Sequence, residues 1–164
     1  MDSDDRTPTE DVDSISEKDA ASIAHPNWQA LDIFAEEELL GFLQICIEKR
    51  FHRFVQNEFQ KLTGLSDNQY WLHADVAGSA GMLDNVRAPD YAYGKGVKVM
   101  GWSSHGANCG GFEGLPDEKI KEKLEEAVQL KALRHREAKH YGLFATLRHD
   151  RPIVEYWVVG PLDE

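Results

Sequence analysis

His73 and Asp75 are the residues of this chain best spaced for acid–base chemistry. They lie two apart in Gln69–Val76 (QYWLHADV), where strand alternation puts i and i+2 on one face. A carboxylate beside an imidazole raises the ring's pKa and orients it as a general base. The same alternation adds Trp71 to that face. In Gly96–Trp102 it adds Lys98, Met100 and Trp102, and a last strand in register adds Glu155 and Trp157. Tryptophans around a few polar groups have the character of a ligand pocket. Trp71, Lys98, Trp102, Glu155 and Trp157 are therefore the expected ligand-binding residues, with His73 and Asp75 the catalytic pair if the pocket is an enzyme's. The plainer alternative is a partly solvated sheet face or one covered by a second subunit.

Three further groups carry chemistry. His105 and Cys109 share the Gly-rich segment SSHGANCGGFEG (103–114). A nucleophilic thiolate needs a positive local field, and the nearby charges are Glu113 and Asp117, so an unactivated loop thiol is expected. His73, Asp75 and His105 are a conceivable divalent-ion set. Nothing in the sequence fixes their relative position, so no metal ligand and no cofactor is assigned. Lys131, Arg134, His135, Arg148 and Arg151 make 131–151 basic. They are the expected site for an anion or an acidic partner, the chain's own N-terminal segment included. A solvated helix end complementing the helix dipole is the bland alternative.

The elements that must position these residues follow from periodicity. Residues 1–26, rich in Asp, Ser, Thr and Glu, bury too little apolar area to offset their ordering entropy and are expected to form a disordered acidic tail. Residues 27–164 are expected to form one globular domain. A helix is expected over Ala35–Leu62. Its early stripe (Leu39, Phe42, Leu43, Cys46, Ile47) and late stripe (Ile47, Phe51, Phe54, Val55, Phe59, Leu62) are rotated by about 100°, which implies a break near Glu48–Arg50 or two different packing partners. Gln69–Val76 and Gly96–Trp102 read as strands, with a loop over 77–95 between them. Pro116 opens a second helix that runs to about Tyr141. Tyr141–Arg148 and Ile153–Val159 read as a closing hairpin. The fold expected is α+β: an antiparallel sheet of about four strands with two main helices on one face, in the order α-β-β-α-β-β.

The stretch from Arg151 to Val159 (RPIVEYWVV) resembles the last strand of SnoaL-like and other NTF2-like small cyclases and isomerases. That resemblance implies a cone-shaped pocket with a His–Asp acid/base pair, for which His73 and Asp75 are the matching residue types. The expected element order is also similar to that of secretion chaperones that bind effector segments.

Composition narrows the classes. The chain has 164 residues, 41% hydrophobic and 29% charged, which is one ordinary globular domain's worth. No apolar run approaches the ~18 residues of a membrane span. Two cysteines make no disulfide framework, and the acidic start has no secretory character, so a cytoplasmic location is expected. The net charge of −11 is concentrated at the front: residues 1–40 hold twelve acids against Arg6 and Lys18. The balanced remainder argues against nucleic acid as a partner. No GxGxxG, P-loop, HExxH, CxxC pair or GxSxG is present. The reading that follows is a non-enzymatic protein-binding domain of the chaperone, adaptor or toxin-neutralising type, homodimeric, with a protein partner. The alternative is a cofactor-independent small-molecule cyclase, isomerase or lyase using the tryptophan-lined pocket.

Overall fold

The computed structural model describes residues 16, 17, 19, 22, 23, 26–31 and 38–162. The chain divides into two units, Met1–Ala35 and Glu36–Glu164. Most of the acidic tail expected over 1–26 lies outside the described residues. The second unit runs β1 (Gly41–Cys46), α1 (Lys49–Thr63), β2 (Tyr70–Asp75), α2 (Arg87–Gly94), β3 (Val99–His105), α3 (Asp117–Arg134), β4 (Lys139–Arg148) and β5 (Arg151–Val159). Short 3-10 turns occupy Gly78–Gly81 and Gly110–Phe112.

These strands form one five-stranded sheet in the order β2-β1-β3-β4-β5. β1 pairs in parallel with both β2 and β3, and β3 in parallel with β4; only β5 is antiparallel. The expected antiparallel four-stranded sheet with two helices on one face is thus replaced by a mixed, mostly parallel sheet with three helices and cover on both faces. The antiparallel expectation extended the terminal hairpin to the whole sheet. That hairpin is real, turning at His149 and Asp150, both at positive φ, the pairing expected of a two-residue primed turn. The parallel pairs instead need helical crossovers. The likeness of Arg151–Val159 to the NTF2-like last strand is therefore local to this hairpin.

The expected helix over Ala35–Leu62 is a strand followed by a helix. All six residues of β1 are buried. A strand covered on both faces reads as a continuous apolar run, and a run this short also fits a helical stripe. The rotation between the two stripes marked the place where the strand ends and α1 begins. Glu48 caps α1 by accepting from the Arg50 N–H, and Gly64, at φ 75, ends it. The loop expected over 77–95 contains α2, and the second strand is shifted to Val99–His105. The second helix stops at Arg134, and β4 starts already at Lys139.

One face of the sheet packs Leu43, Ile45, Tyr141, Leu143 and Ala145 under Phe51, Val55 and Phe59 of α1. The other packs Phe42, Met100, Trp102 and Phe144 under Ile120, Leu124 and Val128 of α3. Polar groups run through this second layer. Trp102 Nε1 donates to His140 Nδ1 (2.9 Å), and His140 Nε2 donates to the His135 carbonyl (2.8 Å). Both nitrogens of His140 are thereby committed in the neutral form. His135 is 2% exposed and has no hydrogen-bond partner on either nitrogen; Asp90 lies 3.3 Å away.

Burial, only partly offset by Asp90, pushes the His135 imidazole down to about 4, and burial also pushes His140 down. A histidine kept neutral by folding contributes stability that is complete above its unfolded pKa of about 6.5 and is lost as pH falls towards 4. For His135 the loss reaches about 3 kcal/mol. The urea midpoint should hold steady from pH 8 to 7 and drop between pH 6.5 and 4, and His135→Phe should flatten that drop. A wild-type midpoint constant from pH 7 to 4.5 would contradict this account.

Candidate metal centre

The strand order places a winding reversal at β1. The chain leaves β1 for β2 on one side, then returns to β3 on the other. In open parallel sheets such a reversal opens a crevice at the carboxyl ends of the two strands. Cys46 is the last residue of β1 and His105 the last of β3. Cys109 follows four residues later, just before the 3-10 turn at Gly110–Phe112. All three are buried, and their potential ligand atoms lie within 4.8 Å of one another.

The loops at this rim interlock. The Ser104 hydroxyl donates to the Ala77 carbonyl (2.8 Å) and accepts from the Ala80 N–H (3.0 Å). Gly78 lies so close to β1 and β3 that a Cβ there would meet the Ser103 carbonyl at 2.2 Å and the Cys46 nitrogen at 2.9 Å. The loop after β2 therefore rests directly on the backbone behind the cluster.

The His105 ring is set for ligation. Its Nδ1 is 2.7 Å from the Gly106 carbonyl, which can only accept, so Nδ1 carries the proton and Nε2 keeps its lone pair. That Nε2 is buried without a hydrogen-bond partner. An orphaned imidazole nitrogen between two buried thiols fits a zinc-type ion. Two sulfurs and one nitrogen suit its softness, and three protein donors leave a fourth tetrahedral position open, as in catalytic rather than structural sites. The Nδ1–carbonyl bond is the usual outer support of a ligating histidine. Burial pushes the Cys109 thiol up, while N–H groups of Gly111 and Phe112 pull it back and neighbouring Cys46 pushes it further up. A bound cation would reverse that balance by holding the sulfur as thiolate.

Glu48 borders the cluster. Its Oε2 is 3.6 Å from His105 Nε2 and 2.9 Å from Arg50 Nε. Burial alone would push this carboxyl up, but hydrogen bonds and charge from Arg50, with His105 nearby, outweigh it and hold Glu48 below its usual value. Arg50 Nη2 also donates to the carbonyls of Ala107 (2.9 Å) and Asn108 (3.3 Å), tying the start of α1 to the Cys109 loop. Glu48 also borders a cavity of about 10 Å³, lined by Cys46, His105, His52, Ser103 and Ser104 and by apolar Ile45, Phe51 and Val55. That is close to the space one water molecule needs.

The expected site residues fall elsewhere. Register places Trp71, His73, Met100, Trp102, Glu155 and Trp157 on one face of the sheet, yet they do not meet in one pocket. Trp102 is fully buried under α3. Trp71 and His73 line a groove of about 630 Å³ at the β2 edge with Phe42, Arg87 and Tyr91. Glu155 and Trp157 line a separate groove of about 330 Å³ at the β5 edge. His73 accepts from Gln44 Nε2 (3.1 Å), Asp75 accepts from the Val76 N–H (2.7 Å), and Lys98 pairs with Glu137 (2.6 Å). The basic residues separate too. Lys131 and His135 are buried, Arg134 pairs with Asp90 and Arg148 with Glu155. Arg148 and Arg151 sit at the far end of β4 from Arg134 and His135, about 30 Å along the strand. The sequence reading paired His105 with Cys109 but placed Cys46 inside a helix. The clue to its position was the end of an apolar run, GFLQIC, matched by the end of VMGWSSH.

No family model matches the chain, and no curated protein matches it in sequence. Among solved structures, the chain is similar in fold to one described under two tetrameric beta-carbonic anhydrases from the filamentous ascomycete Sordaria macrospora. The TM-score is 0.50 at 13% identity, over 76% of this chain and 84% of that one. On a fold of that kind, the buried Cys46–His105–Cys109 cluster overturns the expectation of a non-enzymatic chaperone, adaptor or toxin-neutralising domain; of the two expected readings, the small-molecule enzyme is the one it favours. No helix among the described residues is long and apolar enough to cross a membrane.

Proposed function

We propose that the protein is a zinc-dependent enzyme that adds water to a small electrophilic carbon, with carbon dioxide as the substrate. The observation that carries this reading is the buried donor set of Cys46, His105 and Cys109, with His105 Nε2 unpartnered and a water-sized cavity beside it. The fold shared with a beta-carbonic anhydrase supports the choice of substrate. Zinc held by these three residues would supply Lewis acidity and bring a water's pKa towards 7.

The chain's own residues supply the rest. Ile45, Phe51 and Val55 exclude bulk water and strengthen every electrostatic contact in the cavity. The Glu48 carboxylate, kept ionised by Arg50, stands where it can accept a hydrogen bond from a water in that cavity and orient it. Self-association fits the same reading: the neighbour's enzymes are tetrameric, and Leu72 and Val76 at one sheet edge and Tyr156 and Trp157 at the other are exposed here.

Metal analysis of purified protein should find about one zinc per chain, falling to background in His105→Ala and Cys109→Ala. Stopped-flow assay of carbon dioxide hydration should show activity that is lost on chelation and restored by zinc. Glu48→Gln should keep the zinc and lower kcat by about 10²-fold or more. Chain without zinc would sink the metal reading; zinc-loaded chain without hydration activity would sink the choice of reaction. Sedimentation velocity should return a species larger than 18.6 kDa, and a monomer at micromolar concentration would remove the self-association.

A further inference from the structure

We propose that Asp117 is the positioning residue that sets the His105–Cys109 loop for metal binding, an inference that rests on the metal-centre reading. After β3 delivers His105, the chain must turn back within four residues to bring the Cys109 sulfur to the cluster. It does so through Ala107 at φ 52 and Asn108 at φ 66, two consecutive left-handed residues that carry a Cβ. L-residues avoid that conformation unless their surroundings impose it. The imposing contacts come from two sides. Arg50 takes the carbonyls of Ala107 and Asn108. Asp117, the first residue of α3, takes the Ala107 N–H on Oδ1 (2.9 Å) and the Thr146 hydroxyl on Oδ2.

Gly106 completes the arrangement. A Cβ at that position would lie 2.3–2.5 Å from the Asp117 carboxylate atoms, so the carboxylate fills the space a side chain at 106 would need. One carboxylate thus joins the metal loop, the start of α3 and the end of β4. It bonds the loop backbone and Thr146 rather than the ligand atoms, and its effect on the metal is through the loop. A carboxylate at a helix N-terminus also complements the dipole, but that role requires neither the Ala107 bond nor a glycine at 106.

Cobalt(II) titration separates the two roles. Chelator-treated wild type, Asp117→Ala, Asp117→Asn and Gly106→Ala are titrated while thiolate-to-cobalt charge-transfer absorption is followed, with a competing chelator to set the affinity scale. Far-ultraviolet circular dichroism and the urea midpoint of the metal-free chains report folding. Asp117→Ala and Gly106→Ala should bind cobalt about 10- to 100-fold more weakly, the range for lost outer support of metal ligands. Asp117→Asn, whose amide oxygen can still accept from Ala107, should recover most of that loss. The Gly106→Ala/Asp117→Ala double variant should lose less than the sum of the single losses, because both break one contact. If Asp117→Ala does not fold, Thr146→Val should show the same direction at smaller size. Wild-type affinity in folded Asp117→Ala and Gly106→Ala, or Asp117→Asn as impaired as Asp117→Ala, would overturn the proposal. Failure of the wild type to develop the charge-transfer band would instead overturn the metal centre on which it rests.

Discussion

Everything at the site depends on where β1 sits. It is the interior strand, next to the β2 edge, at which the winding reverses, paired in parallel on both sides and buried on both faces. Parallel neighbours force crossover connections, and a reversal sends the connections after β1 and β3 away from each other. The gap left at their carboxyl ends is where the chain places a thiol and an imidazole. Had β2 and β3 lain on the same side of β1, the connections would have covered that gap.

Burying such groups has consequences for stability. Two thiols and an imidazole nitrogen are held from water without protein partners that satisfy the ring, and an unpaired buried acceptor is costly. A cation that satisfies all three would convert that cost into folding free energy, so metal affinity and stability share one origin. Glu48 joins the two as well. The carboxylate that caps α1 is the one that faces His105, so the helix start and the site are fixed by one side chain.

How much of this was legible follows from particular residues. The hairpin of β4 and β5 was visible because its alternation and its turn are both local. The face shared by Trp71, His73, Trp102 and Trp157 was also visible, since a period of two survives any change of strand order. What covers that face was not. α2 and α3 cover its middle and divide it into two grooves, which depends on contacts between residues far apart in sequence. β1 was misread because an all-buried strand of six residues lacks alternation and borrows a helical period. That one error concealed the metal cluster: with Cys46 inside a helix, His105 and Cys109 had no third donor. Asp117 was read only as an acidic charge near Cys109, because its bonds to Ala107 and Thr146 exist only once the loop, α3 and β4 are packed together.

The interlocked rim bears on how this scaffold can diverge. Ser104 holds Ala77 and Ala80, and Gly78 lies against the backbone of both β1 and β3, so residues inserted there would push apart the strands that carry Cys46 and His105. The turn at His149–Asp150 has exposed residues on both sides and none of these ties. Length variation among descendants of this chain should accumulate at the hairpin and spare the loop after β2, leaving a lineage free to acquire new surface at one place while its chemistry stays anchored at the other.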